Sequence, residues 1–347
     1  MKNIHITIII CTFLIAISVQ GQIKKPVIKH IQPQKHYKLS KYAGVYSFSE
    51  GLAMVFLSSN EKFGYINKSG QEVIKCKYDY GTSFSEGLAS VKLNDEWGYI
   101  DMYGQEIIPC RYGWALNFSE GLAATGNGYI DKTGIKVIST QYNLNYEFSE
   151  GLARVVLNGK YGYINKSGQE IIPCIYDYAE KFSESLAVTK LNGEWCYINK
   201  FGQNVISTKY YQVREFSNGL ARVQSNEKKW GYINKLGQEI ISCKYDEAEN
   251  FSEGMAAITT NQKRGYIDKS GIEMISFKYG MLNIGGEFSE GLALVILNNK
   301  YGYVNKLGQE IIPCIYDQAE SFSDGLACVR KNSSWMFIDK TGKVIIE

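Results

Sequence analysis

The chain has 347 residues, with 38 basic and 35 acidic side chains, 34 glycines, 26 tyrosines and only 5 prolines. A hydrophobic fraction of 45% is too high for an intrinsically disordered protein, and there is no Gly-X-Y regularity of a collagen. The first 41 residues hold seven lysines and no acid, which leaves 31 basic against 35 acidic residues in 42–347. Because phosphate binding relies on an excess of Lys and Arg, no nucleic-acid partner is expected.

The N-terminal segment has the layout of a secretory signal peptide. Lys2 precedes an apolar run over residues 6–19, and Val19 and Gly21 occupy the −3 and −1 positions of a cleavage site before Gln22. A membrane anchor is the alternative, but the run has 14 residues where about 20 are needed to span a bilayer. We therefore expect a signal peptide at 1–21, a basic, largely unstructured leader at 22–41, and no membrane span after cleavage. The protein is expected to be exported to the periplasm, the cell surface or the medium.

The remainder of the chain is a tandem repeat. A Phe-Ser-Glu-Gly motif or a close variant recurs at intervals of 30–37 residues, with its Phe at Phe48, Phe84, Phe118, Phe148, Phe182, Phe216, Phe251, Phe288 and Phe322. Nine units of about 34 residues fill 42–347, so the sequence predicts one repeat domain rather than two globular domains.

Each unit begins with a predicted β-hairpin, which the fourth unit illustrates. Its residues 152–157 form a short apolar, β-branched run, Asn158 and Gly159 are a strong two-residue hairpin signal, and residues 161–164 form an aromatic run. Unit length varies mainly at this hairpin tip, where an exposed loop tolerates insertions.

A turn and a third strand follow the hairpin. Asn165 and Gly168 occupy the first and fourth positions of a type I turn, and the other units keep Asn or Asp and Gly at these offsets. The third strand begins at Glu170, and Pro173 is expected to end it because proline lacks the N–H that a central strand donates. Residues 176–182 are either a fourth short strand or a turn.

Stacking of the units predicts the architecture. One unit cannot bury its apolar face alone, whereas nine in series can. Two recurring slots hold 17 of the 26 tyrosines and are predicted core ladders. One follows the Gly of Gly-Tyr, and the other lies six residues before Phe-Ser-Glu-Gly, or nine residues before it in the eighth unit, at Tyr279. We expect an all-β tandem repeat of about nine units of three to four short antiparallel strands, arranged as an open curved array or solenoid. A closed β-propeller is the alternative, disfavoured because a four-stranded WD40 blade usually takes about 40–45 residues.

The repeat motif resembles the WG-repeat (KWG) family of bacterial proteins. It is spelled out best in the second unit, where Trp97-Gly98-Tyr99-Ile100-Asp101 is followed by Gly104-Gln-Glu-Ile-Ile-Pro109. The resemblance covers 42–347 and implies a β-repeat of largely unassigned function, often in exported proteins, without catalytic residues. A weaker similarity to choline-binding wall repeats, whose period is about 20 residues, hints at glycan or wall binding.

The repeats lack the residues of common catalytic sites. The three histidines, His5, His30 and His36, all precede residue 42, so no imidazole is available there for a base or a zinc site. We expect no cofactor, no metal and no enzymatic activity. The recurring Glu of Phe-Ser-Glu-Gly could form a column of carboxylates for calcium or sugar hydroxyls, but a turn residue is the favoured interpretation. Seven cysteines follow Cys11, an odd number, and small buried free thiols are expected. Of these, Cys196 lies in a Gly slot and Cys328 in a surface-variable slot.

One slot offers a candidate binding surface. The position before Gly-Tyr follows the variable hairpin tip and carries drifting aromatic types, so we expect partly exposed rings there. Its aromatic members are Phe63, Trp97, Tyr161, Trp195, Trp230, Tyr301 and Trp335. Asn127 and Arg264 break the series, and Arg264 could not be buried unpaired. The alternative is a row of half-buried rings that merely cover neighbouring hairpins. The sequence thus predicts an exported, non-catalytic binding or scaffold protein for an unknown partner, a cell-envelope glycan or a protein; the alternative is a secreted hydrolase acting on polysaccharide.

Overall fold

The computed structural model describes residues 38–126, 128–282 and 286–347. Within these ranges the chain forms 35 β-strands in nine antiparallel sheets, here called blades. Eight blades have four strands, the third has three, and strands adjacent in sequence lie side by side in every blade. The predicted all-β repeat is confirmed.

The strands have the following bounds. Blade 1 contains β1 (Gly44–Ser49), β2 (Leu52–Leu57), β3 (Lys62–Asn67) and β4 (Glu72–Tyr78); blade 2 contains β5 (Tyr80–Gly81), β6 (Leu88–Leu93), β7 (Glu96–Asp101) and β8 (Glu106–Tyr112); blade 3 contains β9 (Ala123–Thr125), β10 (Gly128–Ile130) and β11 (Lys136–Ser139). Blade 4 contains β12 (Leu144–Ser149), β13 (Leu152–Leu157), β14 (Lys160–Asn165) and β15 (Glu170–Tyr176); blade 5 contains β16 (Tyr178–Ala179), β17 (Leu186–Leu191), β18 (Glu194–Asn199) and β19 (Asn204–Ser207); blade 6 contains β20 (Gln212–Ser217), β21 (Leu220–Gln224), β22 (Trp230–Asn234) and β23 (Glu239–Tyr245). Blade 7 contains β24 (Glu247–Ala248), β25 (Met255–Thr260), β26 (Lys263–Asp268) and β27 (Glu273–Tyr279); blade 8 contains β28 (Phe288–Ser289), β29 (Leu292–Leu297), β30 (Lys300–Asn305) and β31 (Glu310–Tyr316); blade 9 contains β32 (Gln318–Ala319), β33 (Leu326–Lys331), β34 (Ser334–Asp339) and β35 (Val344–Ile346).

Two-residue turns make each blade short. Asn158 and Gly159 join β13 to β14 with φ of 52° and 76°, as a type I′ turn requires. Glu150 and Gly151 join β12 to β13 in the same way, with φ of 54° and 87°. The first strand of several blades is only two residues long. A four-stranded blade therefore fits into about 34 residues. The shortness of the repeat unit is thus no reason to exclude a propeller.

The third predicted strand runs farther than expected. β15 passes straight through Pro173 and ends at Tyr176. Because β15 is the outermost strand of its blade and pairs only with β14, Pro173 removes no ladder hydrogen bond on the open side. The prediction that Pro173 ends the strand was wrong for this reason. The segment 176–182 does supply a short fourth strand, but β16 belongs to the next blade.

The core lies between neighbouring blades. The aromatic residue of each Gly-Tyr slot packs on the Phe of the following Phe-Ser-Glu-Gly motif, with ring centroids 4.5–5.2 Å apart. In eight blades this residue is a buried Tyr whose hydroxyl donates to a backbone carbonyl of the next blade at 2.6–2.8 Å. The first predicted tyrosine ladder is confirmed. In the second ladder six tyrosines are buried, whereas Tyr112, Tyr142 and Tyr210 are half-buried.

The blades close into a ring, so the prediction of an open array was wrong. The serine hydroxyl of each Phe-Ser-Glu-Gly motif donates to the Phe carbonyl of the next motif at 2.6–2.9 Å, in nine consecutive bonds. The ninth runs from Ser323 to Phe48 and joins the last blade to the first. Phe337 of blade 9 likewise packs on Phe48, with centroids 4.5 Å apart. The chain is a nine-bladed β-propeller.

The N-terminal predictions lie mostly outside the described residues. This holds for the signal peptide at 1–21 and for all but the last residues of the leader at 22–41. Leu39–Lys41 forms a 3-10 turn, in which the Leu39 side chain is fully buried and its N–H donates to the Glu347 carbonyl at 3.1 Å. In the described part of the chain, no helix has the length and apolar character needed to cross a bilayer.

Candidate functional site

The strand order gives the propeller two different faces. The Glu-Gly turns and the Asn/Asp-Lys-x-Gly turns lie at one face, which we call the turn face. The hairpin tips, such as Asn158 and Gly159, and the connections between blades lie at the other, which we call the tip face. Because the candidate aromatic slot directly follows the hairpin tip, its side chains in the described part of the chain lie near the tip face.

Blades 1 and 2 carry a continuous line of rings near the tip face. This aromatic row consists of Tyr46, Phe56, Phe63, Tyr80 and Trp97. Phe63 contacts Phe56 and Tyr80 at centroid distances of 4.8 and 5.3 Å, and Tyr80 contacts Trp97 at 5.7 Å. Tyr46 lies 6.5 Å from Phe63. Tyr46 and Tyr80 are 38% and 48% exposed, and the other three rings are half-buried.

A shorter line crosses blades 4 and 5. Tyr178 lies 5.9 Å from Tyr161 and 5.6 Å from Trp195. The Arg154 guanidinium lies 5.6 Å from the centre of the Tyr161 ring, and the Lys190 ammonium 5.0 Å from that of Trp195. These cations cover part of the rings, which leaves less apolar ring surface than in the aromatic row.

The remaining slot residues stand singly beside a cation or a blade edge. Trp230 contacts Arg222, and Trp335 contacts Arg330 and donates its indole N–H to the Ala43 carbonyl of blade 1 at 3.2 Å. Tyr301 packs at the edge of the core between blades 8 and 9. All seven predicted residues are half-buried, so they are partly exposed as expected and also cover neighbouring blades. Their binding role stays a prediction.

Two residues of the slot, Asn127 and Arg264, are not aromatic. Asn127 lies outside the described residues. Arg264 is buried, with 3% exposure, and its guanidinium lies 3.7 Å from the Glu249 carboxylate. The structure thus meets the requirement that a buried Arg264 be paired, and the line of exposed rings is interrupted at blade 7.

The recurring carboxylates form contacts between blades at the turn face. Each Glu of Phe-Ser-Glu-Gly, or the Asn218 or Asp324 that replaces it, accepts backbone N–H groups from the equivalent turn of the next blade. Seven of the nine also pair with a lysine of the Asn/Asp-Lys-x-Gly turn of a neighbouring blade. With positive φ at all nine positions, the turn interpretation is supported over a carboxylate column for ligands.

These contacts perturb the carboxyl groups. Burial alone would raise the pKa of Glu150, but Lys200 and backbone N–H donors of the next blade outweigh it and hold that pKa below its usual value. The pKa values of Glu86, Glu253 and Glu290 are lowered by the same balance. These four carboxylates are therefore ionised structural groups at neutral pH.

The central channel holds a pocket that the sequence analysis missed. The innermost strands of blades 3–6 enclose about 500 Å³, which we call the channel pocket, lined among others by Asn117, Glu147, Arg154, Glu180 and Glu215. The sequence did contain a signal for this pocket, because one of the two positions before Phe-Ser-Glu-Gly is acidic in six consecutive units. These acids are Glu147, Glu180, Glu215, Glu249, Glu287 and Glu320.

Glu180 is the most buried of these acids. It keeps 9% of its accessible surface, and its Oε1 accepts the Tyr178 hydroxyl at 3.1 Å and lies 3.9 Å from Arg214. Burial, reinforced by the adjacent carboxyl of Glu215, raises the pKa of Glu180 to about 7. Burial likewise raises the pKa of Glu287, with Glu249 adding to the effect. At neutral pH the Glu180 carboxyl is therefore partly protonated.

The cysteines and possible metal ligands are dispersed. Cys76, Cys110, Cys174, Cys243 and Cys314 are half-buried free thiols, and Cys196 is a buried one. The prediction that Cys328 occupies a surface-variable slot was wrong. Cys328 is fully buried between blades 9 and 1, and its Sγ lies 3.5 Å from the Val45 carbonyl oxygen. Among the described residues, no three His, Cys, Asp or Glu side chains are grouped to hold a metal ion.

A second cavity lies in blade 5, where Cys196 replaces the glycine of the Gly-Tyr slot. A Cβ at Gly162 would lie 2.6 Å from the Ile172 carbonyl oxygen, so the outer strand needs glycine there. In blade 5 this position is Cys196, and β19 has four residues where β15 has seven. A pocket of about 340 Å³ opens beside Trp195 and Cys196.

Comparison with known proteins identifies the repeat. The family model described as "WG containing repeat" matches residues 63–97, 97–125, 128–161, 161–195, 197–228, 230–263, 265–301, 301–335 and 335–347. The chain belongs to the WG-repeat family. A search of curated protein sequences finds no match to this WG-repeat protein.

Solved structures are similar to the WG-repeat protein at low sequence identity. A crystal structure titled as the eukaryotic initiation factor is 12% identical, with a TM-score of 0.57, and the match covers 86% of this chain and 93% of that one. Apo AztD from Citrobacter koseri is 11% identical with a TM-score of 0.41, covering 86% and 92%. BamB from Moraxella catarrhalis is 11% identical with a TM-score of 0.33, covering 76% and 82%. The first likeness supports the propeller fold and nothing beyond it. A repeat propeller of this kind suggests a binding or scaffold protein.

Proposed function

We propose that this WG-repeat protein is an exported, non-catalytic binding protein that holds a glycan chain of the cell envelope along the aromatic row. The observation that carries the proposal is the unbroken contact from Phe56 through Phe63 and Tyr80 to Trp97. Aromatic rings provide large apolar contact area at low entropy cost and dominate binding hot spots. The apolar faces of sugar rings are suited to stacking on such surfaces.

The shape of the row favours a chain-like ligand over a protein partner. A stable protein interface buries about 800 Å² on each partner and is a broad patch. The aromatic row is instead a line that crosses two blades, with half-buried rings at its centre. At its edge the Asp79 carboxylate pairs with Lys62 and accepts the Asn94 N–H at 2.8 Å, so fixed polar groups stand where ligand hydroxyls would lie.

The test is binding of the purified protein to a glycan and peptidoglycan array. Trp97→Ala and Phe63→Ala are expected to weaken binding at least tenfold, and Tyr103→Ala should leave it unchanged. Tyr103 is the matched control because it is an aromatic residue on the opposite face, 87% exposed. Unchanged binding in the row variants, or a large fall in melting temperature without a change in affinity, would assign these rings to the core and refute the proposal.

A polysaccharide hydrolase is the second candidate, favoured by the channel pocket. A carboxyl with a pKa of about 7, as at Glu180, suits a general acid. However, Glu180 and Glu215 are within hydrogen-bonding contact, whereas glycosidase carboxyls stand about 5 Å or more apart. Glycan hydrolysis that disappears in Glu180→Gln would decide for the hydrolase; silence across a wall and plant glycan panel would decide against it.

Export is part of the proposal and has its own test. Val19 and Gly21 fit the cleavage rule for an N-terminus at Gln22. Mass spectrometry of the mature protein is expected to find that N-terminus, and an intact Met1 in the mature pool would refute export by this route.

A further inference from the structure

The turn face carries the most exposed apolar side chains of the described chain. Six large apolar residues are 60–87% exposed, and no other large apolar residue in the described ranges exceeds 55%. All six stand in the Asn/Asp-Lys-x-Gly turn of a blade, either at its third residue or directly after its glycine. They are Tyr103, Ile135, Phe201, Leu236, Ile272 and Leu307, here called the six turn residues. Single exposed apolar residues are common on protein surfaces, whereas six at one turn of a repeat form a surface that calls for a partner.

The turns fix the backbone from which these side chains project. In each case the first Asn or Asp of the turn accepts the backbone N–H of the exposed residue at 2.9–3.0 Å. The turn glycine also lies against a buried isoleucine of the preceding blade. A Cβ on Gly202, for example, would lie 3.4 Å from the Ile172 side chain. The exposure therefore belongs to an ordered turn that is anchored to two blades.

The six turn residues lie in one plane. They occupy equivalent turns of a closed ring and therefore project to a similar height along its axis. They come from blades 2, 3, 5, 6, 7 and 8, on both sides of the central channel. In blades 1, 4 and 9 the third turn residue is Ser69, Ser167 or Thr341, and the residue after the glycine is also polar. A partner that contacts all six must be broad and flat.

The charges between the six turn residues cancel. The Glu-Gly turns supply eight carboxylates and the Asn/Asp-Lys-x-Gly turns eight lysines, and seven pairs form between blades. Because Met102 and Asn218 replace one lysine and one Glu, Glu50 and Lys269 have no ion pair within the described residues. Farther out, six outer strands begin with Glu and four of the turns begin with Asp. The face has no excess of basic residues to attract an anionic surface.

A lipid surface suits this arrangement better than a protein surface. Protein interfaces have a core from which charged residues are depleted, whereas Lys–Glu pairs stand between the six turn residues. The interfacial region of a bilayer keeps such pairs hydrated and accepts apolar side chains to a depth of about 5–10 Å.

We propose that the turn face docks on an electrically neutral phospholipid bilayer, with the six turn residues inserted among the headgroups. The contact is peripheral and leaves the tip face, with the aromatic row, directed away from the lipid. Because the two proposals use opposite faces, either can fail without the other.

The experiment is cosedimentation of the purified mature protein with vesicles of phosphatidylcholine or of phosphatidylglycerol. We expect binding to phosphatidylcholine and no stronger binding to phosphatidylglycerol. Since membrane binding scales with buried apolar area, Phe201→Ser and Leu236→Ser should each lower the partition coefficient about threefold, and both together about tenfold. Serine occupies the third turn position in blades 1, 4 and 7, so these variants are expected to fold, with melting temperatures close to the parent. Tyr211→Ser is the matched control, because Tyr211 is 55% exposed in a connection at the tip face, and it should change binding less than twofold.

The orientation gives a second measurement. Brominated phosphatidylcholine should quench the added tryptophan of Leu236→Trp, whereas Tyr211→Trp should show no quenching beyond that of the native tryptophans. Four outcomes would overturn the proposal: no cosedimentation at millimolar lipid, unchanged binding in the serine variants, stronger binding to phosphatidylglycerol, or equal quenching of the two tryptophan variants. A dimer that the serine variants dissociate would assign the face to a second copy of the chain and would overturn the proposal as well.

Discussion

Removing one inter-blade hydroxyl should measurably destabilise the whole ring. The Tyr303 ring is fully buried, packs 4.9 Å from Phe322, and donates its hydroxyl to the Glu320 carbonyl at 2.7 Å. Burial raises the pKa of Tyr303 above its ordinary value, so the group stays a neutral donor at any working pH. Tyr303→Phe keeps the ring and removes only this donor.

The Glu320 carbonyl, which loses its donor in Tyr303→Phe, determines how much stability is lost. Glu320 lies between the short strand β32 and the isolated bridge from Ser323 to Leu326, where the ladder is interrupted. A buried acceptor that loses its donor costs about 1–3 kcal/mol, compared with about 1 kcal/mol for the net worth of an average hydrogen bond. We therefore expect Tyr303→Phe to lower the free energy of unfolding by about 1–3 kcal/mol.

Guanidinium chloride unfolding followed by circular dichroism measures this difference as a fall in midpoint at constant slope. Tyr103→Phe is the control, because it makes the same chemical change at a side chain that is 87% exposed. A surface change of this kind should stay within about 0.5 kcal/mol. Equal midpoints for Tyr303→Phe and the control would show that the hydroxyl contributes nothing to blade contact and would refute the reasoning.

Three further expectations concern turns, charge and closure. Ser185 holds a φ of 71°, which strains a residue with a side chain, where the other eight Glu-Gly turns have glycine. Ser185→Gly should therefore raise the free energy of unfolding by about 0.5–1 kcal/mol, seen as a higher denaturation midpoint; a lower midpoint would contradict this reasoning. The lowered pKa values of Glu86, Glu150, Glu253 and Glu290 stabilise the protein above the unfolded value of about 4.3, and this stability should be lost as pH falls through the lower folded values. Glu150→Gln should flatten that loss in acid-unfolding curves, and an unchanged curve would count against it. Leu39→Ala, at a fully buried residue of the closure, should cost about 2–5 kcal/mol by the same denaturant assay, whereas Leu236→Ala, 79% exposed, should cost little; equal effects would argue against closure through Leu39.

What the sequence alone determined about this protein is local. The nine-fold repeat, the hairpin at Asn158 and Gly159, the turn at Asn165 and the buried Gly-Tyr tyrosines all follow from periodicity, turn chemistry and residue type within one unit. Each depends on interactions between residues a few positions apart, and each recurs often enough for its pattern to stand out. The export signal and the binding role of the aromatic slot are also local patterns, and they stay predictions.

The tertiary structure decided what depends on relations between units. Closure rests on contacts such as Ser323 with Phe48, across 275 positions of sequence, and no repeat pattern encodes whether the curvature brings the ends together. The role of Glu150 appeared only when the N–H of Ser185 in the next blade was placed against it. The channel pocket likewise gathers Arg154, Glu180 and Glu215 from three successive blades. Glu180 looked ordinary within its own unit, because its burial and its contact with Glu215 arise only where the innermost strands converge.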